Sequence, residues 1–412
     1  MLDKEVRRRN VLVGAVAATL LPAVGTAAPA WAGSNKNVAQ LVYVGSRTTA
    51  ARDARGEGIT VWSAPADGSA WQRVQTLVAD NGAGRPGIPA NPSFLTFSAD
   101  GRFAYCVHGD LSLVSSFSVD TTIGHLSYLN TADAGHANPV HLSVSPDGKW
   151  LVVANFAVPG DLCSIAIGAD GKLGAIGSRV ALPGVIGRTR GLQDGANPHH
   201  VPWDPSGRWI LVPDRGLDVI HRVRLDSVTG QLLLDGATKT RPGDGPRHLI
   251  FHPDGTHAYV INEITCSVTT YSWDGATGAL TPLHALRTVP PTDLRNMTGA
   301  ELAISDSGRY LYASNRSGTG GAVSAGPGED SVTVLELKDY LPEVAGVYSS
   351  RGLRPRFIGT DIGARHLYAA NELTDSISGF TLAPSGKVTR ENGIIARTGS
   401  PVCIVFQPAR TA

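Results

Sequence analysis

Apolar and polar positions along the chain follow one recurring design. A short run of alternating apolar residues is followed by a Pro/Asp/Ser-Gly turn, and then by a more continuously apolar run that ends on a polar residue. The segment from Pro246 to Glu263 shows it in full: Pro-Arg-His-Leu-Ile-Phe, the turn His-Pro-Asp-Gly, then Thr-His-Ala-Tyr-Val-Ile-Asn-Glu. Copies run from Pro92 to His108, Pro139 to Asn155, Pro198 to Asp214, Gly299 to Arg316 and Pro355 to Glu372, with a truncated one from Pro401 to Pro408. A period of two predicts strands, and the turn between them predicts an antiparallel return. Glycine closes the turn because that position favours φ > 0. The return run is apolar on both faces, as in Tyr259-Val260-Ile261, so it is expected to be covered on both sides.

A second hairpin pattern interleaves with the first. It occupies Ile59 to Leu77, Ser112 to Asn130, Asp161 to Val180, Asp218 to Ala237, Ser267 to Leu286, Ser331 to Ser349 and Ser376 to Ile394. Successive turn glycines lie from 47 residues apart (Gly101 to Gly148) to 59 (Gly148 to Gly207), which is one four-stranded blade plus variable loops. The Pro401 copy lacks its return strand, and Leu41-Val42-Tyr43-Val44 is a return strand lacking its predecessor. The two ends therefore complete one blade between them, which neither a solenoid nor a pair of sandwiches requires. The pattern predicts an all-β fold, a seven-bladed β-propeller of four-stranded antiparallel blades. A literal G-x-G-x-x-G at Gly82, Gly84 and Gly87 is read as a loop, because Pro86 and Pro89 forbid the helix that a dinucleotide fingerprint needs.

Composition changes the picture in three places. Lys plus Arg (36) balance Asp plus Glu (35), which argues against nucleic acid or a polybasic membrane contact. Arg7, Arg8 and Arg9 precede an Ala-rich apolar run, and Ala30-Trp31-Ala32 offers a small-x-small cleavage pattern. Residues 1–32 are read as an export signal cleaved after Ala32. The Arg8-Arg9 pair with Val11-Leu12 resembles a twin-arginine signal. Residues 33–412 are then one exported propeller domain without a stable membrane segment, expected to be a monomer that meets the export machinery only in transit. Cys106, Cys163, Cys266 and Cys403 have no metal-ligand spacing, and three of them fall among apolar strand residues, as buried free thiols would.

In a propeller the start of each innermost strand and the end of its return partner meet at one mouth of the central channel. The first column reads Ser93, Val140, His199, Arg247, Ala300, Arg356 and Val402. The second includes His108, Asn155, Asp214, Asn262-Glu263, Asn315-Arg316 and Asn371-Glu372. Arg247 and Glu263 share a hairpin and should face each other, as a structural ion pair or as part of a site. His199 holds the equivalent position one blade earlier, His200 is expected to turn toward the sheet face, and Arg316 adds a second cation. A histidine, a carboxylate and two arginines suit an anionic or carbonyl-bearing substrate: arginine binds carboxylate, phosphate or oxyanion, and His and Glu move protons. His199, Arg247, Glu263 and Arg316 are the candidate catalytic set. His200, His248, Asn155, Asp214, Asn262, Asn315, Arg356 and Glu372 are the candidate substrate contacts.

From Leu41 to Pro408 the chain resembles the lactonase propellers that include bacterial 6-phosphogluconolactonases and carboxy-cis,cis-muconate cyclases. The resemblance rests on Pro198-His199-His200, on Val212 through Asp218, on Gly245-Pro246-Arg247-His248 through Asn262-Glu263, and on Tyr312 through Arg316. It implies that the family's catalytic His, Arg and Glu fall on His199, Arg247 and Glu263, with its second Arg on Arg316. The motif reads Pro-His-His-Val where many members have Pro-His-x-His, so either His199 or His200 can be the equivalent residue. The Gly-rich loop after Arg316 is longer than usual. The implied activity is hydrolysis of a sugar lactone without metal or cofactor, with Glu263 or His199 as general base. Cycloisomerisation of a carboxylated muconate, and a non-enzymatic binding propeller, are the alternatives. Export counts against a cytosolic phosphorylated intermediate as substrate and leaves room for other sugar lactones.

Overall fold

The computed structural model describes residues 39–81, 87–293, 295–317 and 328–408. The export signal, most of the G-x-G-x-x-G stretch and most of the loop after Arg316 lie outside the described residues. The described residues form seven antiparallel sheets arranged as a β-propeller. Six sheets have four strands in simple up-and-down order, and the innermost strands of these six are Pro92–Phe97, Pro139–Val144, Pro246–Phe251, Met297–Ile304, Pro355–Thr360 and Pro401–Phe406. In the remaining blade, Ile210–Asp214, Val219–Leu225 and Leu232–Lys239 form three strands. Its innermost segment is held only by the bridges Pro198↔Asp214 and Trp203↔Ile210. Pro198 and Pro202 lack the N–H groups that a continuous ladder needs, which leaves His199 and His200 on a looser stretch of backbone.

The two ends of the chain complete one blade, as the repeat predicts. Gln40–Ser46 pairs with Gly58–Ala64 on one side and with Pro401–Phe406 on the other, in the register Val42↔Phe406, Tyr43↔Val405 and Val44↔Ile404. The turn glycines take up the expected conformation, for example Gly101 at φ 69° and Gly148 at φ 74°.

Return strands are buried on both faces because each packs against the next blade. Tyr43, Ile59 and Val61 of the closing blade share a core with Leu95, Ala104, Cys106 and Phe117 of its neighbour. Hydroxyls fasten the same seams. The Tyr43 hydroxyl donates to the Gly124 carbonyl at 2.8 Å, Ser164 to Gly230 at 2.6 Å and Tyr259 to Tyr340 at 3.0 Å, in each case reaching an outer turn of the next blade. All four cysteines are buried free thiols. No helix among the described residues is long and apolar enough to cross a membrane.

One feature of the innermost strands is absent from the sequence pattern. Pairing runs Pro92↔His108 then Phe94↔Val107, Pro139↔Asn155 then His141↔Ala154, Pro246↔Asn262 then His248↔Ile261, and Pro355↔Asn371 then Phe357↔Ala370. Ser93, Val140, Arg247 and Arg356 are therefore the extra residues of β-bulges, and Val402 takes the same place where Ser46↔Pro401 steps to Gly45↔Cys403. A bulge suspends the in–out alternation and re-aims the side chains around it. Both Arg247 and His248 can thus turn inward, where strict alternation would send one of them away.

Candidate active site

Return strands reach one mouth of the ring at Ser46, His108, Asn155, Asp214, Asn262, Asn315 and Asn371, all buried, and the strand that carries Asn315 runs on to Ser317. Their side chains serve the blades. Asn155 donates to the Ala134 carbonyl at 3.2 Å and to Asp161 at 2.8 Å. One Asp214 oxygen accepts from the backbone N–H groups of Asn197, Gly216 and Leu217 at 2.8–3.1 Å. Asn262 donates to Ser267 and Thr269 at 3.0 and 2.9 Å, and Asn315 donates to Ser331 and Thr333, each at 3.0 Å. Asn155, Asp214, Asn262 and Asn315, expected as substrate contacts, are turned by these bonds toward the blades. They satisfy buried polar groups at the blade ends and do not line the cavity.

The residue after each of them does face the mouth. Arg47, Phe156, Arg215, Glu263, Arg316 and Glu372 line a cavity of about 500 Å³, joined from the inner column by Val140, His199 and Arg356 and from loops by Arg52, Asp53 and Arg354. The equivalent residue in the second blade is Gly109. A Cβ there would sit 2.1 Å from Nη1 of Arg47, so the glycine leaves room for that guanidinium. Six arginines against three carboxylates make the lining strongly cationic.

Glu263 is the centre of the charge network. Its Oε1 lies 3.0 Å from Arg215 Nη1, and its Oε2 lies 3.2 Å from Arg247 Nε and 3.4 Å from Arg316 Nη2. Burial opposes its charge, but Arg215, Arg316 and Arg247 outweigh burial and pull the carboxyl down to about 2. Arg247 is itself buried beneath the cavity, donating to the Ala300 carbonyl, and pairs with Glu263 at ion-pair distance without hydrogen-bond alignment. Arg215 also lies over the Phe156 ring at 4.6 Å. Arg47 is buried with Nε and Nη1 free of hydrogen bonds, 3.6 Å from Asp110; burial, and then Arg356, lower it to about 10. Arg356 forms neither a hydrogen bond nor an ion pair among the described residues. Burial, and then Arg316, push it down too.

His199 is held by its backbone N–H on the Pro213 carbonyl (3.0 Å) and by the Phe156 ring at 5.3 Å. Burial, with Arg247 and His248 adding to it, keeps the imidazole well below its usual value and hence neutral. Its Nδ1 is 3.0 Å from His248 Nε2, which leaves Nε2 as the nitrogen available to the cavity.

His200 and His248, also expected as substrate contacts, are not among the residues that line this arginine cavity. With Glu301 they line a second cavity of about 300 Å³, bordered by Phe94 and Phe357. His200 does not turn to a sheet face either. It stacks on His248 at 4.3 Å and accepts from Leu249 N–H at 3.1 Å. Of the predicted residues, the cavity brings together His199, Glu263, Arg316, Arg356 and Glu372, with Arg247 directly beneath. Sequence reasoning passed over Arg47, Phe156, Arg215 and Glu301. The first three occupy the column of Glu263 and Arg316, and applying that offset to every blade would have found them. Among the described residues no group of three or more His, Cys, Asp and Glu side chains could hold a metal ion.

Comparison with known proteins identifies the family to which this seven-bladed ring belongs. The model of the family "Lactonase, 7-bladed beta-propeller" matches residues 41–406, and the chain belongs to that family. It is similar to the 6-phosphogluconolactonase of Formosa agariphila, 29% identical over 300 residues that cover 70% of this chain and 80% of that one. It is also similar to the 6-phosphogluconolactonase of Bacillus subtilis, 26% identical and covering 77% and 87% of the two chains. Among solved structures, the periplasmic gluconolactonase of Pseudomonas aeruginosa superposes with a TM-score of 0.77 at 26% identity, over 90% of this chain and all of that one. The chain is thus a lactonase-family enzyme.

Two measurements check this division of labour. Asn315→Ala should cost about 2 kcal/mol in urea unfolding, because it strands several buried partners, and should leave KM unchanged. Glu263 has its folded-state value depressed, so its stabilisation is complete above the ordinary glutamate value and is lost as pH falls toward about 2. Glu263→Gln should therefore be destabilised by about 3 kcal/mol at neutral pH, with the gap to wild type closing between pH 4.5 and 2.

Proposed function

We propose that this protein hydrolyses the ring ester of an anionic sugar lactone, with His199 as the proton-transfer group and the arginines as the anion and oxyanion site. One observation carries the reading: a neutral histidine with a free ring nitrogen opens into a cavity where arginines outnumber carboxylates. Glu263 fits a general base poorly, since a carboxyl held at about 2 by three arginines has little affinity for a proton at neutral pH. Its place among Arg215, Arg247 and Arg316 suits it to hold them in position.

In this mechanism His199 Nε2 takes a proton from water as the water oxygen attacks the lactone carbonyl carbon. The tetrahedral oxyanion is met by guanidinium groups, of which Arg316 and Arg356 line the cavity. As the ring C–O bond breaks, the proton passes from His199 to the departing alkoxide, leaving a hydroxy-carboxylate. Arg356, with no carboxylate in contact, is free to take a phosphate or carboxylate on the substrate. The basic, Ala-rich N-terminal segment supports action outside the cytoplasm, and the Pseudomonas aeruginosa relative is described as periplasmic.

A pH-stat assay of sugar lactones with and without a 6-phosphate tests the reading. His199→Ala should lower kcat by a factor of about 10² to 10⁴, and turnover no faster than buffer in wild type would refute it. Arg356→Gln should raise KM for the phosphorylated or carboxylated lactone about tenfold, with little change for a neutral one, and should not lower the unfolding temperature, because it removes an unpaired, partly buried cation.

A further inference from the structure

His199 is the cavity end of a hydrogen-bonded chain. Its Nδ1 lies 3.0 Å from Nε2 of His248, and Nδ1 of His248 lies 2.7 Å from Oε1 of Glu301. All three residues are buried. The chain crosses the channel from the arginine cavity to the second cavity, which His248 and Glu301 line. Glu301 is fixed at its far end: Oε1 also accepts from Leu302 N–H at 3.0 Å, and its own N–H donates to Ser314 at 3.0 Å.

Hydrogen counting allows two states. Both imidazoles are held well below their usual value by burial and by Arg247, so each carries one ring hydrogen. With Glu301 ionised, His248 donates Nδ1–H to the carboxylate, His199 donates Nδ1–H to His248, and His199 Nε2 presents a lone pair to the cavity. With Glu301 protonated every bond reverses, and His199 Nε2 carries the hydrogen. The first state suits attack by water, and the second suits protonation of the departing alkoxide.

We infer that Glu301, acting through His248, is the positioning residue that sets the tautomer of His199 and so makes it a base or an acid. This rests on His199 being the proton-transfer group of the lactonase reaction. In the forward step a water proton binds His199 Nε2, the Nδ1 proton of His199 moves to His248 Nε2, and the Nδ1 proton of His248 moves to Glu301. Collapse of the tetrahedral species runs the same shifts backward, so protons balance with no co-reactant. The surroundings of Glu301 allow both states. Burial raises it to about 7, opposed by Arg247 and His200, and Arg356 faces it from the neighbouring strand, with the Cys403 thiol close by. His200 cannot substitute for His248 in the chain, because its Nδ1 already accepts from Leu249 N–H.

The test uses full-length protein with ¹⁵N-labelled histidine, titrated between about pH 5 and 9, with His199→Asn to assign the ring resonances. His199 should carry its hydrogen on Nδ1 at the alkaline end and on Nε2 at the acid end. In Glu301→Gln, whose Oε1 can still accept from His248 but does not ionise, one tautomer should persist throughout. In the same variant the acid limb of the kcat profile should vanish or move by more than one pH unit, with KM changed less than twofold. A His199 tautomer that never changes in wild type, or that changes identically in Glu301→Gln, overturns the inference. The wild-type titration alone decides if the variant does not fold. Because the spectra need no turnover, failure of lactone hydrolysis would be recognised separately from failure of the relay.

Discussion

The pairing of Gln40–Ser46 with Pro401–Phe406 is the contact on which the rest of the molecule depends. Without it the sheets would form an open arc, with two unpaired strand edges and an uncovered apolar face at each end. With it, every return strand lies between two neighbours, and the seams closed by Tyr43, Ser164 and Tyr259 fix the angle from one blade to the next. Convergence of side chains from distant parts of the sequence follows from that angle. Holding Arg215, Arg247 and Arg316 around one carboxylate needs a frame that does not yield to their mutual repulsion, and a closed ring supplies it.

Much of this was legible because it follows from period and turn chemistry. Alternation in Pro246–Phe251, the glycine after each turn, and the complementary halves at the two ends are local signals, and they define blade number and closure. Glu263, His199 and Arg316 were legible for the same reason, since a repeat places equivalent positions together. What escaped was the choice between neighbours. A polar residue at the end of a buried strand can turn to its own blade or to the mouth, and composition does not separate the two. Asn262 and Asn315 turn to the blade while Glu263 and Arg316 turn to the mouth, a difference of one position. Glu301 escaped for a related reason. The register slips between Gly299 and Leu302, so a residue that strict alternation would send elsewhere enters the channel.

The two cavities have opposite electrostatic characters. The arginine-lined mouth is open to water and gathers negative charge, whereas the second cavity combines one carboxyl with imidazoles and aromatic rings. Anions are therefore drawn to one side of the histidines and kept from the other. The histidines stand at the boundary, neutral because both burial and the nearby guanidinium of Arg247 disfavour an imidazolium there.

The adjacency of the Asn/Asp column that serves the blades and the Arg/Glu column that lines the cavity also bears on how such a protein diversifies. Selection for folding acts on one register of the repeat, and selection for ligand preference on the register beside it. Arg47, Phe156 and Glu372 can each be exchanged without removing a side-chain hydrogen bond that holds a blade together among the described residues. The accessible mutational neighbourhood is then wide for new specificities and narrow for the ring itself. A duplicated gene could explore new substrates at this mouth while inheriting an unaltered scaffold.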